Sequence, residues 1–562
     1  MSLSLQAFAP AALLLAGALA LLLRPSATLF VAVQAATLAA LLRLSQLSVA
    51  TLTIPVYDPI SDVPLLLRLD RLSLFFATTA VAAALLVALP WVGDRQRQRL
   101  PLGWLVVAEF GAVGGILAGT LQGLAAGWGV FVAALLMLVL VPQPVGGKLG
   151  RLSGAVTRTL FLYMAGASMV LLAAVAIEAV TGTANYDAVP VGAVDGRSQA
   201  LLVAAPVLAL AALAGLLRAC RRPAVAAVMV TAVVLPVSAY TLARTIDLAE
   251  GRALPGTVGL LLVLTGGLGA TIFGLYAIWA PDLGATVGRL INALALLLVA
   301  AFALGGSGAL VALLVGFMSL EVVAGATLAL VDAGDGRLPG AGPAPRWVLG
   351  PLALLPLAAA GGLLLAMSLD ARLFLLRRLA DLGVGGYLAA LPLVAALLAV
   401  LAGSIAAGRF GGGRLAGRRG LVQLGLAAGT LVAMELAAPA LRDLAVSLAA
   451  ASARVPPADV RSTSAAAVPG PLLGAFLLAA TVGLVAVGGA RRDVYDPADG
   501  LRQAPDMLPP PIAVTPEILA RRAAAGSLRR LSTGLRLATS RPRWAISLAW
   551  LGAALVVVFA GR

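Results

Sequence analysis

The segment Leu201–Arg244, with the sequence LLVAAPVLALAALAGLLRACRRPAVAAVMVTAVVLPVSAYTLAR, decides the fold. It contains two apolar runs, each long enough to cross a bilayer core as a helix of ~20 residues. A short basic turn around Arg221 separates them, and each run contains a proline, Pro206 in the first and Pro236 in the second. Because proline removes a backbone hydrogen bond inside a helix, the pattern predicts two transmembrane helices, of which the first is broken.

The rest of the chain has a similar composition. Of its 562 residues, 61% are hydrophobic and 11% are charged, and the mean hydropathy is +1.03. A soluble domain cannot bury so much apolar surface, so the composition predicts a polytopic membrane protein. About sixteen apolar runs match the ~20 residues that a spanning helix needs. Because these runs lack period-2 alternation, they favour an all-α protein over a membrane barrel.

Basic residues predict the orientation of these spans. The formal net charge is +16, and Lys148 is the single lysine among the 40 basic residues. The arginine clusters follow spans 3, 5, 7, 13 and 15, which places them on one side of the membrane. By the positive-inside rule, that side is cytoplasmic and both termini are external, in a multi-pass protein of the cell membrane. Topology accounts for the basic character, so no nucleic-acid partner is inferred.

The residue types exclude several classes of site. The chain has no histidine and one cysteine, Cys220. It therefore cannot form an internal disulfide, a multi-cysteine metal site or a histidine-ligated haem. The sequence also lacks a phosphate-binding glycine loop and a nucleophile–base pair. We therefore predict no catalytic site, metal, cofactor or soluble substrate.

The spacing of the spans predicts two repeats. Proline-centred segments around Pro206 in span 7 and Pro356 in span 12 lie five spans apart. This odd offset is typical of an inverted repeat with broken helices. Residues 1–103 hold spans 1–3 and include the polar connector Thr53–Leu67. The remaining predicted units are 104–244 (spans 4–8, first repeat), 256–407 (spans 9–13, second repeat), 421–489 (spans 14 and 15), 490–543 (a cytoplasmic connector) and 544–562 (a final anchor helix).

The cytoplasmic connector is predicted to contain an amphipathic helix. Thr515, Pro516 and Glu517 form a helix-start signal, and leucines alternate with arginines beyond them. Such a helix lies on the membrane surface. An ordinary solvated connector is the alternative.

Several short segments, in their order and spacing, carry a family resemblance. Asp70 begins the sequence DRLSLFF at the entry to span 3, and Tyr240 and Arg244 follow Pro223 through span 8. Asp282 precedes span 10 in the sequence PDLGA. Together, over about residues 66–368, these segments resemble the antiporter-like membrane subunits of respiratory complex I. The same family includes related subunits of membrane-bound hydrogenases and of multisubunit cation/proton antiporters.

The resemblance implies both an architecture and a mechanism. It implies inverted five-helix repeats with broken helices 7 and 12, packed against lipids and other membrane subunits of a complex such as an NADH–quinone oxidoreductase. It also implies proton translocation along a row of ionisable residues on spans 5, 7, 8 and 12. The corresponding positions in this chain are Ala134, Ala205, Pro236 and Ala366. Lys148 lies in a loop, and arginine with a pKa above ~12 cannot carry protons in place of lysine, so the relay positions are vacant.

Three carboxylates nevertheless fall within apolar spans, namely Glu109, Glu321 and Glu435. A charged side chain at the bilayer centre costs roughly 2–3.5 kcal/mol on insertion scales. Each glutamate should therefore face the bundle interior, be paired or be protonated. The three either form a diverged proton path or are neutral groups hydrogen-bonded to a neighbouring helix or subunit.

Two functions of different classes follow from the sequence. The first is a diverged antiporter-like subunit that conducts weakly, by another route or not at all, and then acts as a structural and coupling element. The alternative is a stand-alone secondary transporter or lipid-linked flippase, which requires a hydrophilic cavity with paired charges. A polytopic transferase would need an acidic motif in an extramembrane loop, for which Asp58 and Asp62 are the candidates.

Overall fold

The computed structural model describes most of the chain up to residue 452. The described residues are 3–47, 52–56, 65–92, 100–140, 154–183, 185–190, 194–220, 222–249, 256–278, 280, 283–303, 307–334, 355–361, 383–407 and 417–452. Predicted spans 15 and 16, the amphipathic helix of the connector, Asp282 and Ala366 lie outside these residues. Of span 12, only residues 355–361 are described, and they are helical.

The described residues form helices and one short hairpin. The elements are α1 (Leu3–Leu23), α2 (Ala27–Leu47), β1 (Leu52–Val56), β2 (Leu65–Leu69), α3 (Arg71–Ala88), α4 (Leu102–Ile116), α5 (Leu121–Leu140), α6 (Gly154–Thr181), α7 (Gly196–Ala211), α8 (Leu213–Ala219), α9 (Pro223–Val228), a π-helical turn (Met229–Val234), α10 (Leu235–Leu248), α11 (Gly256–Ile278), α12 (Leu283–Ala303), α13 (Ser307–Gly334), α14 (355–361), α15 (Gly383–Ala407), α16 (Gly417–Leu436) and α17 (Ala438–Ser452).

The prediction of an all-α polytopic membrane protein is confirmed. Eight of the described helices are long and apolar enough to cross a membrane, or nine if the bent pair α16–α17 counts as one span. Helices α4 and α7 and the apolar parts of α11 and α15 are shorter. Large apolar side chains such as Leu19 on α1 and Phe161 on α6 are at least half exposed, as expected for surfaces that face lipid or another membrane subunit.

Span 8, formed by α9, the π-helical turn and α10, is the central helix of the bundle. Every residue from Ala224 to Leu248 is buried. Helices α3, α4, α7 and α13 pack around it. The π-helical turn ends one residue before Leu235-Pro236. Because Pro236 has no N–H to bond the preceding turn, the widened turn accommodates the proline without ending the span.

Two features of the fold were not predicted from the sequence. The connector Thr53–Leu67 contributes to an antiparallel hairpin, in which β1 pairs with β2 and Ile54 lies opposite Leu67. Beyond span 14, α17 continues the chain as a helix bent by 68° from α16. Arg442 and Asp443 interrupt the apolar run within α17, so apolar run length gave no signal for it.

Candidate functional site

The first candidate site begins with Asp70, which caps α3. Its carboxylate accepts a hydrogen bond from the Ser73 N–H at 2.7 Å, and the Ser73 hydroxyl accepts one from the Asp70 N–H at 3.1 Å. This reciprocal capping box satisfies two backbone donors at the helix start. The other carboxylate oxygen of Asp70 is left to pair with arginines.

Arg244, near the end of α10, is the centre of this site. Its guanidinium donates to Asp70, to the Asp247 carboxylate at 2.9 Å and to the Tyr240 hydroxyl at 3.0 Å. Its side chain is 1% exposed. A buried guanidinium is stable only if its donors are paired, and the planar fork of arginine suits three partners at once. Asp70, Tyr240 and Arg244, which carried the family resemblance, are thus brought into one cluster.

A second arginine extends the cluster to the hairpin and to the segment after α6. Arg68 on β2 lies 3.2 Å from Asp70 through Nε and 3.0 Å from Asp187 through Nη2. The Thr53 hydroxyl donates to Asp187 at 2.8 Å. We refer to Asp70, Arg68, Asp187, Arg244 and Asp247 as the ion-pair cluster.

The neighbouring arginines keep Asp70 ionised. Burial alone would raise the pKa of Asp70, but Arg244 and then Arg68 lower it to about 2. Both guanidinium groups also lie against the Tyr186 ring, at 5.3 Å for Arg244 and 5.7 Å for Arg68. Burial raises the pKa of Tyr186, which therefore stays neutral. The described residues contain no group of three acidic, histidine or cysteine side chains that could hold a metal. The ion pairs join α3, β2, α10 and the segment around Asp187, so we interpret the cluster as a clamp.

The second candidate site is the relay axis expected from the family, at Ala134, Ala205 and Pro236. All three residues are buried. The interior around them is filled by aromatic rings. Trp128 and Phe131 have ring centres 5.2 Å apart, and Phe131 and Tyr163 have ring centres 5.9 Å apart.

The helices along this axis are in close contact. A Cβ added to Gly166 on α6 would lie 3.2 Å from the Ala205 carbonyl oxygen and 3.3 Å from the Trp128 ring. The Trp128 Nε1–H donates weakly to the Thr241 hydroxyl at 3.4 Å. This part of the axis is therefore a packed apolar core.

The predicted break in span 7 is present, but it lies at Ala212, six residues after Pro206. The freed backbone groups are bonded by Asn292 at the middle of α12. Its amide NH₂ donates to the Ala211 carbonyl at 2.8 Å, and its amide oxygen accepts from the Ala214 N–H at 2.5 Å. Our sequence analysis missed Asn292. The signal was an isolated asparagine inside the apolar run of span 10.

The three intramembrane glutamates lie in different surroundings. Glu109 on α4 is fully buried and accepts a hydrogen bond from the Gln34 amide on α2, as the neighbouring-helix alternative expects. Glu321 lies at the middle of α13 and is 6% exposed. Neither of its carboxyl oxygens has a hydrogen-bond partner among the described residues. Glu435 is half-buried next to the bend between α16 and α17. No hydrogen bond described in the structure joins the three into a row.

Comparison with known proteins gives matches in structure but not in sequence. No protein-family profile and no curated protein sequence matches the chain. A chain of the Mrp complex from Dietzia sp. DQ12-45-1b superposes on the whole of this chain with a TM-score of 0.71 and 20% identity. This chain has the fold of the antiporter-like membrane subunits.

A second solved structure supports the same fold. A chain of the membrane-bound sulfane sulfur reductase, an archaeal respiratory membrane complex, aligns over 100% of both chains with a TM-score of 0.61 and 17% identity. The present chain covers 63% of the Mrp chain. At these identities the likeness establishes the antiporter-like fold alone. The resemblance that rested on Asp70, Tyr240 and Arg244 is confirmed at that level.

Proposed function

We propose that this chain is a diverged antiporter-like subunit of a multisubunit complex in the cell membrane, and that it has a structural and coupling role. The observation that carries the proposal is the apolar packing at Ala134, Ala205 and Pro236 inside an antiporter-like fold. Proton transfer along this axis would require groups that titrate, or water between them. An uncompensated charge within the membrane core costs several kcal/mol.

The ion-pair cluster supports a coupling role. It joins the start of α3, the hairpin, the segment around Asp187 and the end of the central span. A buried network of this kind fixes one relative position of the elements that it joins, because breaking one pair leaves an unpaired buried charge. A force applied at the membrane surface would thus reach the central span without a moving proton.

Exposed apolar faces support a membrane partner. On α6, Met164, Leu171, Leu172 and Val175 are each more than half exposed and recur at helical spacing. Such a face contacts lipid in a lone subunit and contacts either lipid or other subunits in a complex. The solved structures to which this chain is similar are chains of membrane complexes.

Co-purification tests the subunit proposal. A chromosomally tagged chain, extracted in a mild detergent, is expected to migrate as a large assembly and to yield other polytopic membrane proteins in fixed ratio. An unrelated polytopic protein, tagged and extracted in the same way, controls for detergent carry-over. A homogeneous monomer that retains its fold would refute the proposal and favour a stand-alone transporter or flippase.

A second experiment tests the proposed lack of conduction. In the intact assembly, Glu109→Gln, Glu321→Gln and Glu435→Gln, made singly, are expected to leave ion translocation unchanged. Subunit content is measured in parallel, so that a loss of assembly is not mistaken for a loss of conduction. A variant that assembles normally but abolishes translocation would show that a diverged path operates through that residue.

A further inference from the structure

A cavity of about 170 Å³ lies between α3, α9, α13 and α16. We call it the Glu321 cavity, because Glu321 lines it and, among the described residues, is the buried carboxyl with no hydrogen bond to either oxygen. Its volume is sufficient for about five water molecules at the roughly 30 Å³ each occupies in the liquid. A buried carboxyl that faces such a space requires a partner, and the described residues do not supply one.

The cavity follows the second half of α13. On α13 its lining runs from Glu321 to Asp332, over the second half of the helix. Eleven residues place these two carboxyls on nearly the same helix face, roughly 16 Å apart along the axis. On α3 the lining begins at Thr79 and continues to Val87, with Pro90 just beyond the helix end. On span 8 it begins at Ala224 and ends at Thr231. The cavity therefore extends from the end of α13 to the membrane centre.

The other side of Glu321 is closed by aromatic side chains. Phe317 lies one turn before Glu321 on α13, and its ring centre is 4.9 Å from that of Phe76. Phe75 adds an edge contact to Phe317 at 6.2 Å, and Phe76 contacts Tyr240 at 5.7 Å. These rings form an aromatic plug between Glu321 and Tyr240, whose hydroxyl bonds Arg244 of the ion-pair cluster.

The polar lining of the cavity consists mainly of acceptors. The hydroxyls of Thr79, Thr231 and Thr430 each donate to a carbonyl of their own helix, at 2.8–2.9 Å, which leaves their oxygens as acceptors. The Gln423 amide donates to Asp332 at 2.9 Å. An environment of acceptors around a carboxyl favours an occupant that donates hydrogen bonds, such as water. The oxygen atoms that line the cavity are spread along its length and do not converge on one point, so they do not form a cation cage.

We propose that the Glu321 cavity is a proton inlet with a single opening, through which Glu321 exchanges protons only with the face of the membrane at which α13 ends. Asp332 is the other titratable group among the described lining residues. Charged residues on the helices packed against α13 lie outside the lining: Arg71 on α3, Arg244 and Asp247 on α10, Arg289 on α12, Glu435 on α16, and Arg442 and Asp443 on α17. The inference concerns this chain alone and does not depend on the proposed complex.

Cysteine accessibility tests the single opening. The only cysteine, Cys220, is removed as Cys220→Ala, and Ala326→Cys and Ala329→Cys place thiols on the lining. Ala324→Cys, on the same helix but outside the lining and fully buried, is the matched control. A membrane-impermeant cationic methanethiosulfonate is added to sealed vesicles of either orientation. Modification of the two lining thiols from the α13-end face alone, with no modification of Ala324→Cys, is expected.

Carbodiimide labelling tests proton exchange at Glu321 itself. Dicyclohexylcarbodiimide enters apolar sites and reacts with protonated carboxyls, and mass spectrometry locates the product. Labelling of Glu321 is expected to fall when the pH is raised on the α13-end face and to be unchanged when it is raised on the other face. Glu321→Gln removes the label and controls for Asp332. Lining thiols that react from neither face or from both, or labelling that follows the pH of the opposite face, would overturn the proposal.

Discussion

Replacing Asn292 by leucine tests how the break in span 7 is stabilised. Leucine has a similar size and the same branching at Cγ, so it fills the space without reaching the backbone of α7 and α8. The Ala211 carbonyl and the Ala214 N–H would then lose their described side-chain partner. Asn292 is fully buried, so bulk water does not replace the amide.

The magnitude follows from two lost hydrogen bonds. Interhelical side-chain bonds in membranes average about 0.6 kcal/mol each, which sets a lower bound near 1 kcal/mol. A buried backbone group left unsatisfied costs about 1–3 kcal/mol, which sets an upper bound near 4 kcal/mol if α7 and α8 relax in part. We therefore expect Asn292→Leu to lower the free energy of unfolding by about 1–4 kcal/mol.

Unfolding in detergent micelles, followed by intrinsic fluorescence against added SDS, provides the assay. The matched control is Thr327→Val on the neighbouring helix α13. Thr327 is equally buried, but its hydroxyl bonds only carbonyls of its own helix, at 2.8 and 3.1 Å. Loss of the Thr327 hydroxyl should lower the free energy of unfolding by less than loss of the Asn292 amide. Equal stability of Asn292→Leu and Thr327→Val would refute the claim that Asn292 supports the break.

Three further predictions concern the clamp and the packing of α4 on α5. Arg244→Met should cost about 3–5 kcal/mol in the same assay, because it leaves buried carboxylates unpaired, whereas the exposed Arg197→Met should cost little. Because the pKa of Asp70 is lowered from 3.8 to about 2, the ionised carboxylate contributes roughly 2 kcal/mol to the free energy of unfolding above pH 4, and this is lost as the pH falls towards 2. Asp70→Asn should therefore flatten that part of the stability–pH curve. Gly127→Ala should destabilise the protein, since the new Cβ would lie 2.5 Å from the α4 backbone, whereas Gly129→Ala on the same helix meets open space and should be neutral or stabilising in thermal unfolding.

The resemblance could be recognised from sequence because its residues have structural roles. Asp70 lies 174 residues from Arg244 in the chain, yet it meets Arg244 and Tyr240 in one hydrogen-bonded cluster. The sequence shows that an aspartate stands where a span begins and an arginine where a span ends, and these positions can be compared with those of a family. That they contact each other was not readable, because the contact depends on how α3 packs against α10.

Burial of the glutamates shows the limit of sequence analysis. Glu109 and Glu321 are both single carboxyls in apolar runs, and the sequence gives them the same description. Their surroundings in the folded protein differ, because α2 brings Gln34 to Glu109, whereas a cavity lies beside Glu321. The partner of a buried group is chosen by neighbours that are distant in sequence.

The sequence by itself determined that this protein is a helical, multi-pass membrane protein and that its relay positions hold no lysine. Run length, hydropathy and residue type are local properties, and an apolar run of sufficient length forms a spanning helix because the bilayer core offers its backbone no other hydrogen-bond partners. Only the tertiary structure decided where span 7 breaks, which residue bonds the freed backbone and which carboxyl faces a cavity. These depend on distances between helices, which the packing of small residues and aromatic rings sets across the whole bundle.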